Sequence, residues 1–543
     1  MSLRASEGDN AMTEQISDID LFKQLDEVTK EIASSTDKLT ALQKRLEQRK
    51  SLLRQEISDK AEAVRWSKYV PMHLDSFVEE PYVIEPHRID KKGQVLEWRV
   101  YVPKFVSFQV GRLERATHSY NIYTVNQYMR WFAEIPEELE SRFPQIDVEL
   151  KVHDGVLTSP PEQTEQTWEK YKTFLLKREA PGIMRIKKGS EWGLISQILE
   201  EGGLPFVPQP VEQADLRQRS FSGFALHKDW ILRDYQKEAI DRFLEYGAVG
   251  IYYPFGTGKS EIAIDLCDNL NGRKLIIAGA SKALKEQWEE RLRVMPPDRR
   301  AECHVVVYQS QREIDELIKR YKEFILIIFD ECHHLPAQTF IRLSTIPTKY
   351  RLGLTGSPYR EDGHINYIMA LTGYPVGMAW AKFVTEGIIS LAQVQVHVVR
   401  KPREKLIILD ELLKRDLGKT MIFCDSLDLG DEISKKYGMP FVHGETKSRL
   451  EVINKNDRLV ISRVGDEGIS IPALDTLIEI DFLGGSRYQA LQRVGRLSHR
   501  LIKADQEPSV HHVLITEEEV EKYGKRILSF YDKGFKVDWI YGY

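Results

Sequence analysis

The sequence predicts an α/β protein: two tandem parallel-sheet domains, preceded by an N-terminal coiled coil and a mixed α+β domain. Three observations lead there. From about residue 226, short apolar runs alternate with helix-length segments, the pattern of buried parallel strands covered on both faces. Those runs fall into two series, which implies two domains with a cleft between them. Near the N-terminus, apolar residues recur at alternating spacings of four and three.

Residues 1–18 are small, polar and acidic and are expected to be a disordered tail. Leu21, Leu25, Val28, Ile32, Leu39, Leu42, Leu46 and Leu53 share one heptad register, interrupted by Ser35 and Arg49. Residues 19–65 therefore read as a coiled coil or a helical hairpin, with Ser34–Asp37 as the turn of the hairpin version. The plainer reading is one amphipathic helix packed on its own domain. Residues 66–225 read as an accessory α+β domain. It has strands over Val95–Val102 and Phe105–Val110, helices over Tyr128–Phe132 and Glu191–Leu199, and loops at Pro160–Pro161 and Pro205–Pro210. Trp98, Arg99, Tyr101, Lys104, Phe105, Arg112 and Arg115 interleave aromatic and basic side chains there. They suit either nucleic-acid contact by stacking and phosphate pairing or an ordinary core with solvated basic neighbours.

The first parallel-sheet domain, 226–388, takes its strands from Val249–Tyr253, Lys274–Gly279, Val305–Tyr308, Ile325–Phe329 and Arg351–Leu354. The second, 389–543, takes them from Val394–Val399, Thr420–Phe423, Arg458–Ile461, Thr476–Ile480 and His511–Ile515.

Composition narrows the function. With 543 residues, 42% of them hydrophobic and 29% charged, the chain has material for several cores and is neither wholly disordered nor fibrous. Lys and Arg number 77 against 82 Asp and Glu, a net charge of −5, so any nucleic-acid surface must be a local basic groove. Cys267, Cys303, Cys332 and Cys424 form no CxxC pair, which argues against structural zinc or disulfides and for a reducing, intracellular setting. The polar start MSLRASEGDN and the lack of any long apolar run predict neither leader nor membrane span.

The sharpest motif is Tyr253-Pro-Phe-Gly-Thr-Gly-Lys-Ser260, between a strand and a helix. A P-loop needs glycines (Gly256 and Gly258 around Thr257) so that backbone N–H groups can wrap phosphates. It needs Lys259 to reach the β/γ oxygens and Ser260 to place a hydroxyl on Mg²⁺. Tyr253 stands where the general pattern has its first glycine. The second element, Ile325-Leu-Ile-Ile-Phe-Asp-Glu-Cys-His333, ends an apolar strand in two carboxylates. Asp330 would hold Mg²⁺, and Glu331 would orient and deprotonate water. Asp330, Glu331, His333 and His334 as a metal cluster is the rival reading. The third element, Gln492-Arg493-Val-Gly-Arg496-Leu-Ser-His499-Arg500, would bring an arginine from another domain to a phosphoryl-transfer site.

These elements, in this order, resemble superfamily 2 helicases and translocases, and within them the XPB family of DNA repair and transcription helicases. The likeness runs from about Ile231 to the C-terminus. Leu232-Arg233-Asp-Tyr235-Gln236 resembles the adenine-contacting segment, and Gly353-Leu-Thr355-Gly-Ser-Pro-Tyr-Arg360-Glu361-Asp362 resembles motif III with the Arg-Glu-Asp signature. Ser462-Arg-Val-Gly465-Asp466, Gly484-Gly485-Ser486-Arg487 and the tail Glu519–Val537 are also similar to XPB sequence.

The resemblance implies two RecA-like domains and ATP hydrolysis with Mg²⁺ by Lys259, Ser260, Asp330 and Glu331, completed by Gln492 and Arg496. It implies adenine contact through Gln236 beside Arg233, and nucleotide-to-DNA coupling through Thr355, Ser357, Arg360, Glu361 and Asp362. Gly465 and Asp466 would bind nucleotide near the interdomain ATP and nucleic-acid contacts. The implied partner is DNA (duplex, forked or branched); the heptads, apart from the resemblance, suggest a protein partner or self-association through the coil.

The chain departs from the family where the second arginine of QRxGRxxR falls on His499, with Arg500 one residue late, and where motif V has Ser470 for Asp. The stretch from Val399 to Lys419 is short, so the family's thumb-like insertion is expected to be reduced or absent. Two other functions fit the residues: a translocase that remodels duplex or branched DNA without strand separation, and a coiled-coil scaffold with a nucleotide switch.

Overall fold

The computed structural model describes residues 82–541, apart from 90–92, 104–109, 117–119, 134, 144–148, 218–231, 280–281, 357–359, 361–363, 378–382, 385, 467–473, 482–483, 485, 498–507 and 534. The expected tail and coil, residues 1–65, lie outside the described residues, as does nearly all of the expected strand Phe105–Val110.

The accessory region holds two separate antiparallel sheets. Strands β1 (Val83–Ile89), β2 (Val95–Pro103), β3 (Arg112–Ala116) and β4 (Tyr120–Val125) order as β1-β2-β4-β3. Along β2, Trp98, Val100 and Val102 point into one core, while Tyr101 packs with Val83 and Ile122 on the opposite face, as a two-residue period requires. Trp98 is buried under the Arg142 guanidinium at 4.8 Å, and the Tyr101 hydroxyl donates to Glu85. These two aromatics are core residues, not a stacking platform for bases. Lys104 and Phe105 lie outside the described residues.

The second sheet, β5 (Lys151–His153), β6 (Val156–Thr158), β7 (Leu175–Ala180) and β8 (Ile183–Ile186), orders as β5-β6-β8-β7 and precedes helix α1 (Glu191–Glu200). The segment expected as a helix at Tyr128–Phe132 is a 3₁₀ turn, Gln127–Trp131, and it closes the end of α1. Gln127 Nε2 and the Tyr128 hydroxyl donate to Leu199 O at 2.8 and 2.6 Å, and Trp131 Nε1 donates to Gly202 O at 3.1 Å. Carbonyls without intrahelical partners are thus satisfied by side chains.

Helix α2 (Asp234–Tyr246) leads into the first parallel sheet: β9 (Ala248–Ile251), β10 (Lys274–Ala278), β11 (Cys303–Val306), β12 (Phe324–Asp330), β13 (Thr348–Leu354) and β14 (Tyr374–Val376). Helix α3 (Lys259–Asn269) follows β9, and helix α4 (Ile365–Thr372) precedes β14. The order is β11-β10-β12-β13-β9-β14, every pair parallel. Pro375 has no N–H to give a second neighbour, and β14 accordingly sits at the edge, paired only with β9.

The second sheet of this kind contains β15 (Gln393–Val399), β16 (Thr420–Cys424), β17 (Phe441–Val442), β18 (Arg458–Ile461), β19 (Thr476–Asp481), β20 (Val510–Thr516) and β21 (Val537–Ile540), with helix α5 (Arg487–Gly495) after β19. Its order is β17-β18-β16-β19-β20-β15-β21, again wholly parallel. Met421 and Phe423 face the large core shared with the first sheet, whereas Ile422 and Cys424 face a second core on the other side. Burial on both faces is why these strands read as unbroken apolar runs. The connection from β15 to β16 holds a single helix, Glu404–Leu413, and no inserted domain.

Helix α5 is held against its sheet by buried charge. Arg493 is fully buried, with Nε 2.6 Å from Asp466, Nη2 2.6 Å from Asp425 and Nη1 3.0 Å from Glu479, and it lies 4.5 Å over Phe423. Arg526 donates to Gln489 at 2.6 Å and to Glu479, and Gln489 Nε2 donates to Asp466 at 2.6 Å. Burial alone would raise the Glu479 carboxyl; Arg526 and Arg493 more than offset this and hold it well below the usual carboxylate range. Removing one member of such a network leaves buried charge uncompensated. Arg493→Met is expected to destabilise the second domain by about 3–5 kcal/mol, read as faster amide hydrogen exchange over β16, β19 and β20 with β9–β13 unchanged.

Candidate active site

Both sheets end, at their carboxyl edges, beside one cleft of about 290 Å³. The first domain lines it with Arg233, Tyr235, Gln236, Phe255–Glu261, Gln287, Arg291, Asp330 and Glu331; the second contributes Gln492 and Arg496. Eleven of the residues expected at a nucleotide site therefore converge on one cavity: Arg233, Gln236, Gly256, Thr257, Gly258, Lys259, Ser260, Asp330, Glu331, Gln492 and Arg496.

The loop after β9 is shaped by its glycines. Gly256 and Gly258 have φ of 75° and 82°, and a Cβ on Gly258 would come within 2.5 Å of Gln236 Nε2. Thr257 is tied down by its hydroxyl to Pro254 O at 2.7 Å, and its carbonyl accepts from the Tyr235 hydroxyl at 2.9 Å. Gln236 accepts from Arg233 N at 3.0 Å, and its Nε2 donates to Thr257 O at 3.4 Å, joining the start of α2 to this loop. Tyr253, in place of a glycine, is buried and donates to Tyr235 O at 2.5 Å.

The functional groups at this loop are engaged by the protein itself. Lys259 Nζ donates to Tyr253 O at 3.0 Å and Pro254 O at 2.9 Å, and lies 5.3 Å over the Phe255 ring. Burial pulls its ammonium down to about 8 against the attraction of Glu331, Asp330 and Glu261. The Ser260 hydroxyl accepts from Arg291 Nη1 at 2.5 Å. Asp330 accepts from Trp288 Nε1 at 2.7 Å and from Glu331 N at 3.0 Å. Burial, then neighbouring Glu331, push the Asp330 carboxyl up to about 6.

Glu331 has φ of 50°, a left-handed backbone that re-aims the chain after β12 and opens the short turn Cys332–His334. Its Oε2 lies 3.0 Å from the Tyr488 hydroxyl and 3.4 Å from His333 Nδ1. The same hydroxyl is 3.0 Å from His333 Nδ1 and accepts from Gln492 Nε2 at 2.5 Å. Arg496 is buried and still charged at neutral pH; burial lowers it to about 10, with Asp466 and Glu331 opposing the shift. Phe255 wedges between the domains: a Cβ on Gly356 of the first or Gly495 of the second would meet its ring at 2.5 or 2.3 Å.

Other expected residues are placed elsewhere. Gly465 and Asp466 do not line the cleft; Asp466 is committed to Arg493 and Gln489, and a Cβ on Gly465 would crowd Ile461 at 2.7 Å. Buried Thr355 reaches His333 Nδ1 at 3.4 Å, and Arg360 donates to His333 O, so both touch the Asp-Glu segment from behind. Ser357, Glu361, Asp362, Ser470, His499 and Arg500 lie outside the described residues. Among the described residues no group of three or more His, Cys, Asp or Glu side chains is placed to hold a metal, which leaves the metal-cluster reading of Asp330, Glu331, His333 and His334 without support. Nor is any helix there long and apolar enough to cross a membrane. Tyr488, Arg291, Trp288 and Phe255 were not singled out by the motifs. Tyr488 alone had a signal, since it precedes Gln492 and Arg496 at helical spacing.

Comparison with known proteins bears on the two parallel-sheet domains. Residues 229–360 match the family model described as "Type III restriction enzyme, res subunit", and residues 398–537 match "ERCC3/RAD25/XPB C-terminal helicase". A Rad25 protein of Halobacterium salinarum is 29% identical over 56% of this chain and 57% of its own length. One from Haloarcula marismortui is 31% identical over 49% and 50%. The DNA 3'-5' helicase XPB of Mycobacterium tuberculosis is 26% identical over 57% and 64%. The chain thus spans about half to under two thirds of the length of these relatives. The two parallel-sheet domains are thus similar to superfamily 2 helicases, and the second of them to the XPB/Rad25 C-terminal helicase.

Proposed function

We propose that the chain is an ATP-dependent DNA translocase or helicase that couples hydrolysis between its two parallel-sheet domains to movement on DNA. The observation that carries this reading is the composite cleft: Gln492 and Arg496 of the second domain line the same cavity as the P-loop, Asp330 and Glu331 of the first. A site split between two bodies binds its ligand fully only when they close, which is what a motor needs.

The residues fit a nucleoside triphosphate. Glycines with positive φ expose backbone N–H groups toward phosphate, and the half-buried Lys259 ammonium gains more from an anion than from two carbonyls. The Ser260 hydroxyl and Asp330 carboxylate are hard oxygen donors suited to Mg²⁺, which when bound would neutralise phosphate charge. Arg291 must release Ser260 for that hydroxyl to serve. Glu331 would orient and deprotonate the attacking water, and Arg496 would stabilise charge developing on the transferred phosphoryl group. Arg233, Tyr235 and Gln236 line the same cleft and would contact the base. Thr355 and Arg360, tied to His333, would pass the state of the Asp-Glu segment toward DNA, together with Ser357, Glu361 and Asp362. The 3'-5' direction in the relatives' names is the polarity to expect.

Movement along duplex without strand separation is favoured by one feature: β15 and β16 are joined by a single helix where a DNA-gripping insertion was the alternative. Displacement of a strand from a fork, compared with displacement of a protein block from blunt duplex, separates the two modes.

Hydrolysis measured with duplex, forked and single-stranded DNA is expected to rise with at least one of them. Lys259→Ala should abolish that rise. Glu331→Gln should lower kcat by about 10²–10⁴-fold while leaving nucleotide binding in place. A wild-type rate indifferent to all three DNAs would refute the proposal. Because a bound polyphosphate favours charged Lys259, affinity for an ATP analogue should be full below pH 8 and fall by up to about ten-fold per unit above it. Calorimetric titration between pH 7 and 9 checks this; affinity constant through pH 9 would contradict it.

A further inference from the structure

The motifs assign Glu331, Gln492 and Arg496 but leave the link between them unassigned. Tyr488 is that link. It stands in the first turn of α5, on the helical stripe that carries Gln492 and Arg496. Its ring packs on the His333 imidazole, centroids 4.1 Å apart, and its hydroxyl lies 3.0 Å from Glu331 Oε2, 3.0 Å from His333 Nδ1 and 2.5 Å from Gln492 Nε2.

A phenol has one proton and two lone pairs. Gln492 Nε2 can only donate, and a carboxylate can only accept. The arrangement that satisfies the phenol and these three partners therefore has Tyr488 O–H donating to Glu331, and its two lone pairs accepting from Gln492 and from His333 Nδ1–H. Every position of this phenol is used, and the bond that leaves it goes to the one carboxylate expected to work on water. Glu331 is also faced by Asp330 and His333 from its own segment, by Lys259 from α3 and by Arg496 beyond the end of α5. Tyr488 belongs to the second domain and, in this arrangement, donates a hydrogen bond to Glu331.

We propose that Tyr488 is a positioning residue that sets the orientation of Glu331 from across the interdomain seam, so that the base is aligned only when α5 is docked. This rests on the ATPase reading above. When the domains part, Glu331 loses its donor and His333 loses the ring stacked on it. Closure then supplies Arg496 and aligns Glu331 in one movement. Nucleotide binding itself does not require the phenol, because Tyr488 does not line the cleft.

The test compares Tyr488→Phe, which keeps the ring on His333, with Tyr488→Leu, which removes ring and hydroxyl, in the full chain with the best-stimulating DNA. Tyr488→Phe is expected to lower kcat by about 10–100-fold, the scale of a misaligned reacting group. KM for ATP and the affinity for a non-hydrolysable analogue should stay within about three-fold of wild type, since the lost bond acts on alignment and not on binding. Wild-type kcat in Tyr488→Phe with a deficit only in Tyr488→Leu would reduce the residue to packing and overturn the proposal. So would equal losses of kcat and analogue affinity in Tyr488→Phe. A wild-type chain without DNA-stimulated hydrolysis would instead overturn the reading on which this one rests.

Discussion

One buried guanidinium governs how the second domain meets the first. Arg493 lies in α5 with no exposure to water and with three carboxylates, Asp425, Asp466 and Glu479, within 3.0 Å. Charges taken out of water at such cost are tolerated only in a geometry that pairs all of them, so α5 has one rotation about its axis and no other. That rotation turns Arg493 into the domain and turns Tyr488, Gln492 and Arg496 toward the P-loop and the Asp-Glu strand. Gln489 and Arg526 brace the same helix from the side through Asp466 and Glu479. Two adjacent residues, Gln492 and Arg493, thus serve opposite ends: one reaches the seam, the other holds the helix that lets it reach.

The first domain meets this helix with a loop that satisfies itself. Lys259 rests on the carbonyls of Tyr253 and Pro254, Ser260 on Arg291, and Phe255 on two glycines drawn from both domains. An anionic ligand does not enter a row of unpaired groups; it replaces contacts already made. Binding energy is then the difference between phosphate and carbonyl as partners for an ammonium, which favours phosphate because charge-assisted bonds are roughly twice as strong as neutral ones. Phe255 makes the exchange a matter for both domains, since Lys259 leaving its ring loosens a side chain wedged against Gly495.

Much of this was legible from residue order. Parallel strands buried on both faces must be apolar throughout, so β10, β12, β16 and β19 announced themselves, and the glycines, Lys259 and the Asp330-Glu331 pair followed at strand ends. The short edge strands were not legible: β14 has three residues including Pro375, and β17 has two, too few for any period to appear. Nor were the roles of Trp98 and Tyr101, since an aromatic beside a basic residue looks the same in a core and on a binding face. Asp466 was expected at the seam, yet its partners are Arg493 and Gln489, internal to the second domain. Tyr488 was half legible. Its spacing from Gln492 and Arg496 marks a shared helical face, but Glu331 and His333 lie 157 and 155 residues away, and nothing local points to them.

The central claim is that nucleotide draws the two parallel-sheet domains together over one site. Val294 in the first domain and Leu427 in the second are exposed, 47% and 54%, and accept spin labels without disturbing either core. The distance distribution between labels at these positions, recorded by pulsed electron resonance with and without an ATP analogue and DNA, measures closure directly. The account predicts a distribution that shifts and narrows on adding both, and that does neither in Lys259→Ala. A wild-type distribution unmoved by an analogue shown to be bound would contradict it.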